Sequence, residues 1–184
     1  MSNELREPGK LKTGIVQVVL TIVIILFVFA GVQFTMQSFR VEGWSMQPSF
    51  QDGEFIIVSK LTYRFSSPKR GDVIVFQNPE EPRRLYIKRI VGLPGETVEI
   101  RDGEISIDGR ALEESPDFAQ IRSEDYLLTV AEDEYFVIGD NRIATSGSHT
   151  FGPVPRQNIV GKTWLSYWPP REWGLSPSYA AAME

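Results

Sequence analysis

From Thr13 to Phe39 the chain carries no charged residue, and Lys12 and Arg40 bound the stretch. Its centre, Val18-Val19-Leu20-Thr21-Ile22-Val23-Ile24-Ile25-Leu26-Phe27-Val28-Phe29-Ala30, is apolar nearly all round, unlike a surface helix with one polar face. About 20 apolar residues cross the roughly 30 Å hydrocarbon layer of a bilayer, so the pattern predicts a transmembrane helix over 13–39. A cleavable export signal is the competing reading. Its apolar core runs to about 7–15 residues before a small-residue cleavage site, whereas this run continues through Gly31-Val32-Gln33-Phe34 without one.

Beyond residue 40 the period changes. Phe55-Ile56-Ile57-Val58, Val73-Ile74-Val75-Phe76 and Tyr135-Phe136-Val137-Ile138 are short runs of β-branched and aromatic residues. Asp52-Gly53, Gly71-Asp72 and Gly139-Asp140 punctuate them. The segment from Glu99 to Gly109 reads as a hairpin turning at Asp102-Gly103, a pair suited to the positive φ of a tight type I′ turn. Residues 110–134 are acidic and weakly periodic, which predicts an insertion or long surface loop. No long amphipathic helix follows residue 40, so the expected domain is antiparallel and mostly β. The expected division is residues 1–12, a membrane helix over 13–39, and a β domain over 40–184.

Charge adds orientation. Arg6, Lys10 and Lys12 precede the apolar segment and only Arg40 closely follows it, which places the N-terminus in the cytoplasm and residues 40–184 across the membrane. The net charge of −5 and the lack of a basic stripe argue against a nucleic-acid partner. With no cysteine in the chain, disulfides, thiol catalysis and cysteine-based zinc sites are excluded. No motif for a metal or an organic cofactor is evident.

Two residue types then change the picture. Ser45, in Ser45-Met46-Gln47-Pro48, lies a few residues past the apolar segment, and Lys88 lies in the strand-like run Tyr86-Ile87-Lys88-Arg89-Ile90-Val91-Gly92. Side chains alternate along a strand, so Tyr86, Lys88 and Ile90 share a face. An ordinary lysine, with a pKa near about 10.4, is protonated at neutral pH and accepts no proton. Burial among apolar neighbours lowers the value and makes the amine a usable base for a serine nucleophile. Taken singly, Ser45 reads first as a turn residue leaving the membrane, with Trp44 as an interfacial anchor, and Lys88 first as a solvated or stem-buried lysine.

Four blocks in order resolve that ambiguity by resemblance. Ser45-Met46-Gln47-Pro48-Ser49-Phe50, Arg70-Gly71-Asp72-Val73-Ile74-Val75-Phe76, Tyr86 through Glu96, and Gly139-Asp140-Asn141-Arg142 continuing to Ser148 and Phe151-Gly152 resemble the motifs of bacterial type I signal peptidases. The resemblance covers nearly all of residues 10–170. It implies Ser45 as nucleophile, Lys88 as general base and an antiparallel β catalytic fold of signal-peptidase type. It also implies exported preproteins as substrates, in a plasma membrane or, as an alternative, a thylakoid membrane. Thr145 stands where the family has a serine whose hydroxyl supports the lysine. Gly147 and His149 replace the usual aspartate and arginine, and His149 is read as a surface or hydrogen-bonding residue. The Ser45 backbone N–H is the expected oxyanion donor, and Phe50, Tyr86, Ile87 and Val58 are the expected walls for small substrate side chains. Arg89 and Asp140 are expected to pair structurally. The reading from another class is an anchored β-domain that binds exported chains without cutting them; Gly147 is the feature that favours it.

Overall fold

The structure, a computed structural model, describes residues 8–113, 118, 121–122, 124–143 and 146–177. It divides into two units, Met1–Met36 and Gln37–Glu184.

The first unit holds helix α1 (Pro8–Thr35). Its 22 residues from Gly14 to Thr35 are long and apolar enough to cross a membrane; at about 1.5 Å per residue they match the hydrocarbon layer. Ile15, Leu20, Ile25 and Phe29 are all exposed. The helix ends before the uncharged stretch does. Met36–Arg40 is strand β1, where Met36-Gln37-Ser38-Phe39 alternates apolar and polar positions with the period of a strand.

The second unit is built on antiparallel strands: β2 (Phe55–Ser59), β3 (Val73–Gln77), β4 (Leu85–Gly92), β5 (Thr97–Arg101), β6 (Glu104–Ile107), β7 (Arg110–Ala111), β8 (Tyr126–Thr129), β9 (Glu134–Ile138), β10 (Val154–Pro155), β11 (Ile159–Trp168) and β12 (Gly174–Leu175). An eight-stranded sheet runs in the order β1-β2-β11-β3-β4-β9-β10, with β12 against β11, and a four-stranded sheet runs β7-β6-β5-β8. Two single-turn helices, α2 (Thr62–Phe65) and α3 (Ser148–Phe151), complete the regular elements that bear on the site. The Asp102-Gly103 turn has both residues at positive φ, 51° and 81°, as the predicted hairpin between β5 and β6 requires.

Within the acidic stretch 110–134, residues 126–129 form a strand rather than a loop. Tyr126-Leu127-Leu128-Thr129 pairs with β5; Tyr126 and Leu128 pack on the core while Leu127 faces outward. A four-residue alternation is too short to stand out from its charged flanks.

Strand β4 carries Lys88. It lies inside the large sheet between β3 and β9, with apolar clusters on both faces. Ile74, Phe76, Ile90, Val137 and Phe151 form one; Val41, Met46, Phe50, Ile56, Val58, Val73 and Val75 form another. Gly92 closes the strand where a Cβ would come 2.5 Å from Val98 and 2.8 Å from Phe136. That contact lets the small sheet pack onto the large one.

Candidate active site

Lys88 pairs across the sheet with Ile74, and Tyr86 with Phe76. Tyr86, Phe76 and Phe151 pack ring on ring at 6.0–6.3 Å, and the Lys88 Nζ sits 5.9 Å from the Tyr86 ring centre. Lys88 is 4% exposed and makes no ion pair among the described residues. Burial therefore pulls its pKa down to about 8, against a smaller upward pull from the carboxylate of Asp140.

Arg89 projects from the opposite face of the same strand and is equally buried, yet fully partnered. Its Nε and Nη2 donate to the two oxygens of Asp140 at 2.8 and 2.6 Å. Its Nη1 donates to the carbonyls of Gly71 and Pro177 at 2.8 and 2.9 Å, and Nη2 also reaches Ser49 Oγ at 3.3 Å. Such a two-pronged guanidinium–carboxylate pair fixes both side chains in orientation as well as distance.

The four sequence blocks meet through these bonds. Asn141 holds the serine segment from two sides, its backbone N–H donating to Ser45 O at 3.1 Å and its side-chain amide to Trp44 O at 3.1 Å. Gly43 N–H donates to Asp52 at 2.7 Å, with Gly43 at φ 84°, a conformation that favours glycine. Arg70 donates to Val91 O and pairs with Glu96 at 2.5 Å, while Glu96 also accepts from Leu93 N–H at 2.7 Å. Asp72 accepts from Tyr63 Oη at 2.9 Å and Lys162 Nζ at 2.6 Å. The charged residues of the motifs thus serve mainly to lock loops around Ser45 and Lys88.

Ser45 and Lys88 line one cleft of about 410 Å3, together with Phe39, Val41, Glu42, Ile56, Val75, Tyr86, Ile87 and Ser146. Of the residues expected as walls, Tyr86 and Ile87 line this cleft. Phe50 and Val58 do not; they are fully buried in the cluster that also contains Val41, Ile56 and Val75. Val58 lies one pleat beyond Ile56, a cleft residue, on the same face of β2. Val75 is opposite Ile87 in the β3–β4 register, a signal available only once those strands are paired. Asn141 and Ser146 sit inside or beside the last block, and only the folded loop shows their proximity to Ser45 or the cleft.

Thr145 lies outside the described residues. Gly147 is packed so closely that a Cβ would stand 2.8 Å from Val137 O and 3.1 Å from Ile138. The missing carboxylate at 147 therefore leaves no gap; the backbone itself fills the place. His149, in α3, is half-buried, its Nδ1 has no hydrogen-bond partner among the described residues, and burial lowers its pKa. It does not line the cleft.

A larger groove of about 920 Å3, bordered by Lys60, Tyr63, Arg64, Glu132 and Arg156, contains neither Ser45 nor Lys88. The desolvated amine of Lys88 lies in the smaller cleft, with Ser45.

The family model described as signal peptidase, peptidase S26 matches residues 14–168. Signal peptidase I of Leptolyngbya laminosa is 39% identical over 161 residues, covering 79% of this chain and 77% of that protein. Signal peptidase I V of Bacillus subtilis is 36% identical over 163 residues, 80% of this chain and 91% of that protein. Thylakoidal processing peptidase 1 of Arabidopsis thaliana is 35% identical over 136 residues, 68% of this chain and 40% of that protein. A family match spanning both the apolar helix and the interlocked β domain, with the Leptolyngbya and Bacillus relatives aligned along most of their own length, means that the chain belongs to the signal peptidase family, peptidase S26.

Proposed function

We propose that the protein is a membrane-anchored serine endopeptidase that removes N-terminal signal peptides from exported preproteins, with Ser45 as nucleophile and Lys88 as general base. The observation that carries this reading is the desolvated amine of Lys88 on the cleft that Ser45 also lines, with a pKa near 8. At pH 7.5 such an amine is neutral in roughly one quarter of molecules, against about one in a thousand for an unperturbed lysine.

In this mechanism neutral Lys88 takes the proton from Ser45 Oγ as the oxygen attacks the scissile carbonyl carbon. The C–N bond breaks, the lysine ammonium passes its proton to the leaving amine, and the signal peptide is left esterified to Ser45. Lys88 then deprotonates a water that hydrolyses the ester. The Ser45 N–H is assigned to the developing oxyanion, and the Thr145 hydroxyl to orienting the lysine. Tyr86 and Ile87, above an apolar floor that Phe50 and Val58 support, suit the small residues of an A-x-A cleavage site.

The apolar helix is assigned to the bilayer with the N-terminus in the cytoplasm, on the strength of the lysines and arginine that precede it. The plasma membrane is the expected site, with a thylakoid membrane as the alternative that the plastid relative brings to mind.

The direct test is cleavage of a purified preprotein by the detergent-solubilised full chain. Wild type is expected to release a mature chain beginning just after the small-residue motif, and Ser45→Ala to release none while remaining folded. Turnover by Ser45→Ala at the wild-type rate would overturn the assignment.

A further inference from the structure

Every nitrogen of the Arg89 guanidinium is engaged at its edge, by Asp140, Gly71, Pro177 and Ser49. Only the faces of that plane remain for packing. The ring of Phe118, from the acidic segment between β7 and β8, lies with its centre 5.8 Å from the Arg89 guanidinium carbon and 5.1 Å from that of Arg142. Both distances fall within the range in which the negative face of an aromatic ring attracts a cation. Both arginines are 3% exposed, so water screens neither their mutual repulsion nor their attraction to the ring. Arg142 is itself tied to the turn that it ends, its Nε donating to Gly139 O at 3.0 Å.

We infer that Phe118 is a positioning residue for catalysis: one ring seated on both guanidiniums holds the Arg89–Asp140 brace in a single arrangement, and the brace holds Ser45 and Lys88. The path is short on both sides. Arg89 follows Lys88 in β4, so fixing one side chain fixes the pitch of the strand that presents the other. Asp140 precedes Asn141, which holds the carbonyls of Trp44 and Ser45, and Arg89 reaches Ser49 four residues beyond the nucleophile. Phe118 does not line the cleft that holds Ser45 and Lys88. Its effect therefore belongs in the turnover rate rather than in substrate binding. The inference rests on the Ser–Lys reading above.

The experiment compares Phe118→Ala, Phe118→Leu and Phe118→Tyr in the full chain, measuring kcat and KM on one preprotein and thermal unfolding in parallel with Ser45→Ala. Phe118→Ala and Phe118→Leu are expected to lower kcat about tenfold, with KM changed less than about twofold, and Phe118→Tyr to return to within about twofold of wild type. A leucine variant as active as the tyrosine one would reduce Phe118 to apolar cover and overturn the inference, as would wild-type kcat in Phe118→Ala or a loss confined to KM. If the alanine variant does not fold, leucine against tyrosine decides alone. Cleavage by Ser45→Ala would instead overturn the Ser–Lys reading and this inference with it, whereas failure of the Phe118 pattern alone leaves that reading standing.

Discussion

On one face of β4, Arg89 donates to two carboxylate oxygens, two carbonyls and a hydroxyl. On the other face, one residue earlier, Lys88 has aromatic and aliphatic neighbours and no ion pair among the described residues. Both cations are almost completely buried. Burial with a partner keeps a charge and makes it structural; burial without one lowers the pKa, so that a larger share of the amine is neutral and able to accept a proton. The same strand does both because its two faces meet different loops. The Gly139–Arg142 turn brings Asp140 to Arg89, and its charge reaches Lys88 only as a weaker field.

Removing either reacting group should produce the largest effect. Lys88→Arg keeps a cation but one that stays protonated at any working pH, and it should lose activity as completely as Lys88→Ala, by about 10^4-fold or more in kcat. Single-turnover cleavage of a preprotein measures this, and substantial activity in Lys88→Arg would show that another group accepts the proton.

Breaking the partnered face should act on stability first. Asp140→Asn strands a buried guanidinium and should cost about 3–5 kcal/mol in denaturant unfolding. It also deletes the field that raises the pKa of Lys88, so any activity that survives should extend to lower pH. An upward move of the acidic limb would contradict the assigned role of Asp140.

The unpartnered face predicts the opposite sign. Lys88 has a folded pKa near 8 and an unfolded value near 10.5, so the unfolded chain holds more protons between these values and wild-type stability rises with pH across that window. Below about pH 8 the buried amine costs the fold about 3 kcal/mol. Lys88→Met should therefore stabilise the protein by roughly that amount near pH 7, and the gain should fade towards pH 10.5. Unfolding curves at pH 7 and pH 10.5 measure the difference; a gain independent of pH would assign it to packing alone.

Thr145→Ala should have the smallest effect. It removes one orienting hydroxyl and not the base, so the expected loss in kcat is about tenfold or less. A loss as deep as that of Lys88→Ala would make the hydroxyl a direct participant.

Much of this division was legible before any strand was paired. Alternation placed Lys88 with Tyr86 and Ile90, and the resemblance of four ordered blocks to signal-peptidase motifs singled out Ser45. What alternation does not carry is register. The pairing of Val75 with Ile87, the reach of Arg89 across to Ser49, and the grip of Asn141 on Ser45 all depend on contacts between segments tens of residues apart. The apolar stretch was also read as one object to Phe39, although its last residues alternate and form β1. Tyr126–Thr129 was submerged in acidic composition because four residues give too short a period to see. Phe118 carried no signal at all, since a lone aromatic residue in a charged loop reads equally as exposed.

The most direct measurement is the pH dependence of kcat/KM for cleavage of a preprotein by the solubilised full chain. If Lys88 acts as the neutral base, the rate rises with pH through an acidic limb near pH 8, because only the unprotonated amine takes the Ser45 proton. A limb near pH 10.5, the value of an unperturbed lysine, or one in the range of a histidine that disappears in His149→Ala, would contradict it.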